Sequence, residues 1–176
     1  MNSDNRHTSV KENEARLAGL YEEYYDRIAH YVYVRIGNRA EAEDIAGEVF
    51  LKALKSLKSY RDKGIPMQGW LFRIAHNLVV DYLRRMTKRK TVPIDSLALP
   101  DADDPVDQAE RNMEMARVTE AMKQLTEEQR EVINLRFFGG LTSKEAGEVL
   151  RKSDGAVREM QRAAIEKLRG IMGAEC

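Results

Sequence analysis

The sequence predicts an all-α protein built from two small helical domains, the second of which contains a helix-turn-helix. Apolar residues recur at three- and four-residue spacing along most of the 176 residues. Three of the four prolines fall within residues 91–110, where that spacing is lost. The net charge also changes there, from +5 over residues 1–90 to −6 over 91–115 and +1 over 116–176. An acidic, proline-containing stretch between two periodic blocks is typical of a linker.

The overall composition is that of a folded, helix-prone protein, with 43% hydrophobic and 33% charged residues. Cys176 is the only cysteine, so no internal disulfide is possible, and we expect a reducing compartment. The first residues lack an apolar signal core, and no apolar run reaches membrane length. These features predict a cytoplasmic protein.

The first domain is predicted over residues 14–90, after a polar segment, 1–13, that we expect to be disordered. A tyrosine-rich helix over about 14–36 ends at Gly37-Asn38, since both residues tolerate the left-handed conformation. A second helix follows over about 40–59. Its predicted inward face comprises Ala42, Ile45, Ala46, Val49, Phe50, Ala53, Leu54 and Leu57.

A loop over residues 60–66, punctuated by Gly64 and Pro66, leads into a third amphipathic helix over 69–90. One face of this helix is apolar, and the other carries Arg73, His76, Asn77 and Arg84. The helix ends in a run of basic residues. Cations stabilise a helix C-terminus in any protein, but a dense basic cluster is also what a nucleic-acid backbone attracts.

The linker is predicted over residues 91–111 and the second domain over 112–172. A helix over about 112–125 precedes a capping box at 126–129, which opens a helix with Val132, Ile133 and Phe137 inward. A second capping box at 142–145 opens a short helix. After a turn at 151–155, with Ser153 as N-cap, the last helix covers about 154–171. A short helix, a turn and a longer capped helix form a helix-turn-helix.

Three segments, in this order, carry a resemblance to a known family. Residues 42–54 (AEDIAGEVFLKAL) and 69–85 (GWLFRIAHNLVVDYLRR) are similar to the N-terminal domain of extracytoplasmic-function sigma factors. Residues 125–169 resemble the C-terminal DNA-binding domain of the same proteins. The resemblance implies a sigma factor that binds core RNA polymerase, directs it to promoters and helps to melt the DNA. It implies no cofactor.

The resemblance also implies where polymerase binds. In the family, the helix equivalent to residues 42–54 docks on a coiled coil of the β′ subunit, and the β subunit is a further partner. The implied contacts here are Asp44, Glu48, Leu51 and Lys55, which share one outward face. Acidic groups around an apolar anchor suit a basic partner. From the residues alone, ordinary solvated surface is the more common explanation of such a face.

Two stretches are implied to contact promoter DNA. The segment over residues 60–90 corresponds to the part that opens the minus-ten element, and its implied contacts are Arg61, Lys63, Arg73, His76, Asn77, Arg84, Arg85, Lys88 and Arg89. Trp70 is expected in the core or at its rim. The last helix is implied to enter the major groove of the minus-thirty-five element through Ser153, Asp154, Arg158 and Arg162. Arg158 is the leading candidate for a base reader.

The chain departs from the family pattern at two positions. Arg151 stands where glycine is common in the turn, and Gly147 stands where alanine is usual. We expect Gly147 to weaken its helix by up to ~1 kcal/mol. The linker acids Asp101, Asp103, Asp104 and Asp107 could mimic RNA phosphates inside the polymerase or simply form a solvated spacer. Because such sigma factors are held by anti-sigma factors, we expect an anti-sigma partner as well.

Other classes of protein fit less well. The three histidines show no metal-ligand spacing, and no catalytic motif is present, so we expect no enzyme activity. A helix-turn-helix regulator that dimerises through an N-terminal sensing domain remains an alternative. It would bind promoter DNA alone, whereas a sigma factor needs core polymerase. An adaptor using the tyrosine-rich helix is a third possibility.

Overall fold

The computed structural model describes residues 2–89 and 108–173, and within these ranges all regular secondary structure is helical. The helices are α1 (Asn2–Ile36), α2 (Arg39–Ser56), α3 (Met67–Arg89), α4 (Gln108–Lys123), α5 (Glu127–Ile133), α6 (Ser143–Leu150) and α7 (Asp154–Gly173). The predictions for Lys90 and for the linker acids lie outside the described residues.

The first three helices form one unit whose core lies where their apolar stripes meet. The core includes Ile28, Tyr31 and Val32 of α1, and α2 and α3 pack against both sides of these residues. Phe72 of α3 is fully buried, with its ring edge-on to Tyr31 at a centroid distance of 5.6 Å. Mixed aliphatic and aromatic packing of this kind accounts for most of the stability of a small helical unit.

The boundaries of this unit differ from the predictions at two places. The prediction of disorder before residue 14 is wrong for residues 2–13, because α1 begins at Asn2. These residues contain no Gly or Pro, and extending an existing helix costs far less than nucleating a new one. Asn38 starts α2 by accepting a hydrogen bond from the Glu41 amide, and α2 ends in a 3₁₀ turn at Leu57–Ser59.

The second unit begins with α4, whose start at Gln108 makes residues 108–111 helical where a linker was predicted. Both predicted capping boxes are confirmed, with Thr126 and Thr142 each exchanging two hydrogen bonds with the residue three positions on. After α5 the backbone continues as a π-helical turn, Asn134–Phe138. The wider turn shifts the phase of the side chains. Phe137, predicted inward, is therefore 59% exposed.

The turn between α6 and α7 explains one of the departures from the family pattern. A Cβ atom on Gly147 would lie 2.5 Å from the carbonyl oxygen of Lys152, a separation that no side chain tolerates. The Lys152 amide also donates to the Gly147 carbonyl at 2.8 Å. The expectation that Gly147 merely weakens α6 is incomplete, because the close return of the chain requires glycine there. Ser153 then caps α7 as predicted, accepting from the Ala156 amide.

Replacing Arg151 with glycine should stabilise the protein. Arg151 ends α6 in the left-handed conformation, with φ 57° and ψ 45°. An L side chain is strained there and glycine is not, so we expect R151G to raise the free energy of unfolding by about 0.5–1 kcal/mol. Urea denaturation followed by circular dichroism measures the change. A loss of stability in R151G would show instead that the arginine side chain makes contacts that outweigh the backbone strain.

The two units pack directly against each other. Val132, Leu135, Leu141, Ala146, Val149 and Val157 of the second unit belong to the same buried cluster as the core of the first. The contact is made by α3 against α6 and by α1 against the π-helical turn. A smaller core of Met122, Leu125, Ile133 and Ala164 belongs to the second unit alone. The sequence predicted two tethered domains and gave no sign of this shared interface.

Candidate functional site

The predicted polymerase-binding residues form one continuous strip on the outer face of α2. Asp44, Glu48, Leu51 and Lys55 follow each other at helical spacing, and all are exposed. Leu51 is 58% exposed, and neighbouring Leu54 is 52% exposed. The prediction that Leu54 points inward is therefore wrong. Ala53 and Leu57 already fill the inner face at this level, which leaves Leu54 at its outer edge. The strip thus presents two leucines among charged side chains.

Most of the predicted minus-ten contacts are exposed along α3 and its exit. Arg73, Asn77, Arg84 and Lys88 lie on one face of the helix, and the exposed Arg85 and Arg89 beside this face make the end of the helix strongly basic. Arg84 also lies 3.9 Å from Asp81, an exposed pair that contributes little. The last two turns of α3 therefore offer cations to a polyanion.

The loop before α3 carries two of the predicted DNA contacts, Arg61 and Lys63, and the structure holds one of them in place. Arg61 folds back, and its Nη1 donates to the carbonyl oxygens of Lys58 and Tyr60, each at 2.9 Å. Lys63 is exposed. Trp70 packs on the Tyr60 ring at 4.8 Å and is partly buried, which confirms its placement at the rim of the core.

His76 is the predicted DNA contact that the structure separates from the others. Its side chain is 19% exposed. The Nδ1 atom lies 3.2 Å from the Tyr31 hydroxyl, 3.3 Å from Arg35 Nη1 and 3.4 Å from Glu131 Oε2. In this conformation His76 faces the second unit and makes no part of the exposed basic surface.

Glu131 of α5 is the centre of this buried polar cluster, which we call the Glu131 cluster: Tyr31, Arg35, His76 and Glu131. Arg35 Nε lies 2.6 Å from Glu131 Oε1, and the Tyr31 hydroxyl donates to Oε2 at 2.9 Å. Burial and the nearby carboxylate raise the pKa of Tyr31 well above its usual value. Burial is the largest single influence on Arg35 and lowers its pKa, but Glu131, Tyr31 and Glu127 together outweigh it, so the pKa is raised. The tyrosine stays neutral and the arginine charged.

The Glu131 cluster could not be predicted from the sequence. Glu131 lies four residues before the buried Leu135, but Glu128 lies four residues before the equally buried Val132 and is exposed, so this spacing does not distinguish the two carboxylates. Arg35 lies in the last turn of α1, where the helix dipole alone stabilises a cation, so its charge did not suggest a buried partner. Only the fold brings these two positions together.

The predicted reading helix, α7, pairs its own charges in the absence of DNA. Arg158 forms a two-pronged ion pair with Asp154, which lowers the pKa of that carboxyl. Arg162 lies between Glu159 and Glu166, with Nη1 donating to Glu166 at 2.8 Å. Both arginines are exposed. If either arginine binds a new partner, it must therefore give up an ion pair with a neighbouring carboxylate as well as its bound water.

A shallow groove of about 430 Å³ runs beside these arginines. Its lining combines Arg136 and Ser143 with the exposed side of α7. Arg136 was not predicted as a site residue. Its Nε donates to Gln161 Oε1 at 2.8 Å, and it also bonds the Leu141 carbonyl, so it fixes α7 to the turn that precedes α6. Nothing in the sequence indicated this contact.

The described ranges hold no group of three or more His, Cys, Asp and Glu side chains that could bind a metal ion. Likewise, none of the helices in that part of the chain combines the length and the apolar character needed to cross a bilayer.

Two family matches follow the division into helical units. Residues 20–89, which cover the C-terminal half of α1 and all of α2 and α3, match Sigma-70 region 2. Residues 121–170, which contain the helix-turn-helix, match Sigma-70 region 4. The two matches on this all-helical fold therefore define a protein of the sigma-70 class.

Curated relatives narrow the class. The chain is 31% identical to the ECF RNA polymerase sigma factor BldN of Streptomyces coelicolor over 157 residues, covering 87% of this chain and 59% of BldN. It is 34% identical to the ECF RNA polymerase sigma factor ShbA of Streptomyces griseus over 134 residues, covering 73% of this chain and 70% of ShbA. The sigma factor RpoE, whose structure was solved in complex with the anti-sigma factor NepR from Bartonella quintana, shares the fold. The TM-score is 0.70 and the sequence identity 19%, and the match covers 90% of this chain and 98% of the RpoE chain.

The chain belongs to the ECF sigma factors of RNA polymerase. Sigma factors are non-catalytic regulatory subunits that direct RNA polymerase to promoters and support the initiation of transcription. The alternative of a dimeric helix-turn-helix regulator is not favoured, because the match to region 2 accounts for the N-terminal unit as well.

Proposed function

We propose that this sigma factor binds core polymerase through the outer strip of α2, contacts the minus-ten element with the exposed face of α3, and reads the minus-thirty-five element with α7. The observation that supports this assignment most strongly is the ordered pair of region 2 and region 4 matches on two helical units. Each unit presents an exposed charged face of the kind its role requires.

The docking role of α2 is supported by the composition of its outer strip. Leu51 and Leu54 expose apolar surface that the fold itself does not need, and Asp44 and Glu48 lie beside them. A large apolar side chain ringed by polar groups is the usual composition of a binding hot spot. The acids would steer a basic partner surface onto the leucines.

The role of α3 in melting is supported by its exposed donors and its basic end. Arg73 and Asn77 can donate hydrogen bonds to an extruded base or to phosphates, and Asn is suited to adenine. The exit cations, from Arg84 to Arg89, would neutralise the backbone of the opened strands. Affinity of this kind falls steeply as the salt concentration rises.

The reading role of α7 is supported by the position of Arg158 in its second turn, near the end that enters a groove first. Asp154 holds the guanidinium in an extended, two-pronged geometry, which is the geometry that a guanine edge accepts. Binding would replace the carboxylate by the base, so Asp154 orients the arginine before DNA arrives.

Replacing the Arg158 guanidinium, which can donate two parallel hydrogen bonds, should relax promoter specificity at one upstream base pair. We expect R158A to lose about 1–3 kcal/mol of discrimination at a single base pair, with melting unchanged. R158K is the matched control for charge. It keeps the cation but cannot donate two parallel hydrogen bonds, so it should lose the same discrimination. Run-off transcription over a set of upstream single-base variants measures this. An equal loss of activity on every template would mean that Arg158 contacts phosphate only.

An anti-sigma factor is the regulatory partner that we propose. The structural neighbour RpoE was solved with the anti-sigma factor NepR, and its fold is shared over 90% of this chain. Co-purification of a tightly bound protein that blocks the addition of core polymerase would support this partner.

Transcription with purified core polymerase tests the proposed function as a whole. The protein should support run-off products from a subset of genomic promoters, and the protein alone should bind the same duplexes weakly. Tight, selective binding of promoter DNA by a dimer without polymerase would instead support the regulator alternative.

A further inference from the structure

We infer that the Glu131 cluster is a latch that holds the two units together in a closed state, and that this state cannot support initiation until the units separate. The inference rests on the proposed function, because it assumes that the two units contact two promoter elements. It assigns a role to a group of residues that neither polymerase docking nor DNA reading requires.

The chemistry of the cluster suits a reversible contact. Within the described residues, the partners of the Glu131 carboxylate come from the other unit: Arg35 and Tyr31 from α1, and His76 from α3. The Arg35 and Glu131 side chains are only 8% and 7% exposed. Separation of the units would return both charges to water, which recovers much of what the ion pair provides when buried. A contact of this kind can be specific in geometry and still open.

The rest of the interface surrounds the cluster with closely fitted groups. The His30 ring lies 4.8 Å from that of Phe138, and a Cβ on Gly139 would meet the Phe72 ring at 3.2 Å. At the start of α3, a Cβ on Gly69 would lie 3.7 Å from the Cβ of Glu145 in α6. The helix-turn-helix therefore lies directly on the segment that we propose melts the promoter.

The closed state conflicts with simultaneous contact of both promoter elements. Those elements lie about 25 base pairs apart, which is about 85 Å along the DNA axis. In the closed state the helix of one unit, α3, touches the first helix of the reading motif, α6. The 18 residues between Arg89 and Gln108 can extend to about 60 Å, so the covalent chain permits the units to separate. Initiation then requires the latch to open.

A reversible disulfide across the interface tests the inference. The Cβ separation at positions 69 and 145 matches the spacing of a disulfide. The full chain would carry G69C and E145C, with I65A to remove the methyl group that a Cβ at position 69 would approach at 2.8 Å, and C176S to remove the native thiol. The same protein is then assayed oxidised and after dithiothreitol.

We expect the oxidised protein to give at least tenfold less run-off product with core polymerase, and reduction to restore it. Equal activity in both states would overturn the inference. A reduced protein that gives no product would count against the proposed function instead, provided that the unmodified chain is also inactive. Failure of the disulfide to form in a correctly folded, oxidised protein would show that the closed state is not populated, which also overturns the inference.

A matched pair of variants tests whether Glu131 is the latch. E131Q removes the buried charge, and E127Q makes the same change one turn earlier, where Glu127 is exposed and 3.7 Å from Arg35. In the cysteine background, E131Q should slow disulfide formation at least fivefold and E127Q should change it little. Small-angle scattering of the wild-type chain should give a radius of gyration of about 16 Å, with a larger value for E131Q. Identical rates and radii for both variants would exclude Glu131 as the latch.

Discussion

Replacing Phe72 with alanine is expected to lower the free energy of unfolding by about 3–5 kcal/mol. The side chain is fully buried between Tyr24 and Tyr31, with ring centroids 6.3 Å and 5.6 Å away. Truncation would remove its apolar burial and both edge-on ring contacts, and would leave a cavity that helices on two sides cannot close. Denaturation in urea, with helix content as the signal, measures the change.

Phe137 provides the matched control for Phe72, because the substitution is chemically identical and only the burial differs. At 59% exposure its ring contributes little to the core, and we expect F137A to change stability by less than about 0.5 kcal/mol. Comparable losses in F72A and F137A would mean that the ring of Phe137 is packed in solution. That result would also reject the π-helical turn as the reason why Phe137 points outward.

The local structure of the chain was largely predictable because short-range chemistry determines it. Thr126, Thr142 and Ser153 are each followed by amides that need an acceptor, and each side chain supplies one in the structure. The exposure of Phe137 was not predictable in this way. An extended π turn depends on how α5 packs against α7 and how the turn itself packs against α1, and a regular 3.6-residue period cannot represent it.

The same distinction applies to the candidate sites: residues on one helix were predictable from the sequence, and residues far apart in the chain were not. Asp44, Glu48 and Leu51 lie on a single helix, so spacing alone was enough to put them on one exposed face. The Glu131 cluster joins residues 100 positions apart in the chain. Charged residues in amphipathic helices usually face solvent, so nothing in the sequence distinguished Glu131 from the exposed Glu127 and Glu128 beside it.

Reversing the charge of Asp44 is expected to weaken the binding of core polymerase roughly 30- to 1,000-fold. The estimate takes Asp44 as a hot-spot residue contributing about 2–4 kcal/mol, at about 1.4 kcal/mol per tenfold change in affinity. D44R puts a cation where the proposed partner is basic, so repulsion adds to the lost attraction. Because Asp44 is exposed, helix content and thermal stability should stay near those of the wild type.

The neighbouring Glu43 gives the control that separates a local effect from a general change of charge. Glu43 is also exposed on α2 but lies about a quarter turn away, 3.5 Å from Arg39 and outside the docking strip. E43R changes the net charge of the chain by the same amount, and it should bind polymerase within about threefold of the wild type. Fluorescence anisotropy of labelled sigma factor titrated with core polymerase compares the two variants. If D44R and E43R bind equally well, the strip on α2 is ordinary solvated surface and the docking site lies on another face of the molecule.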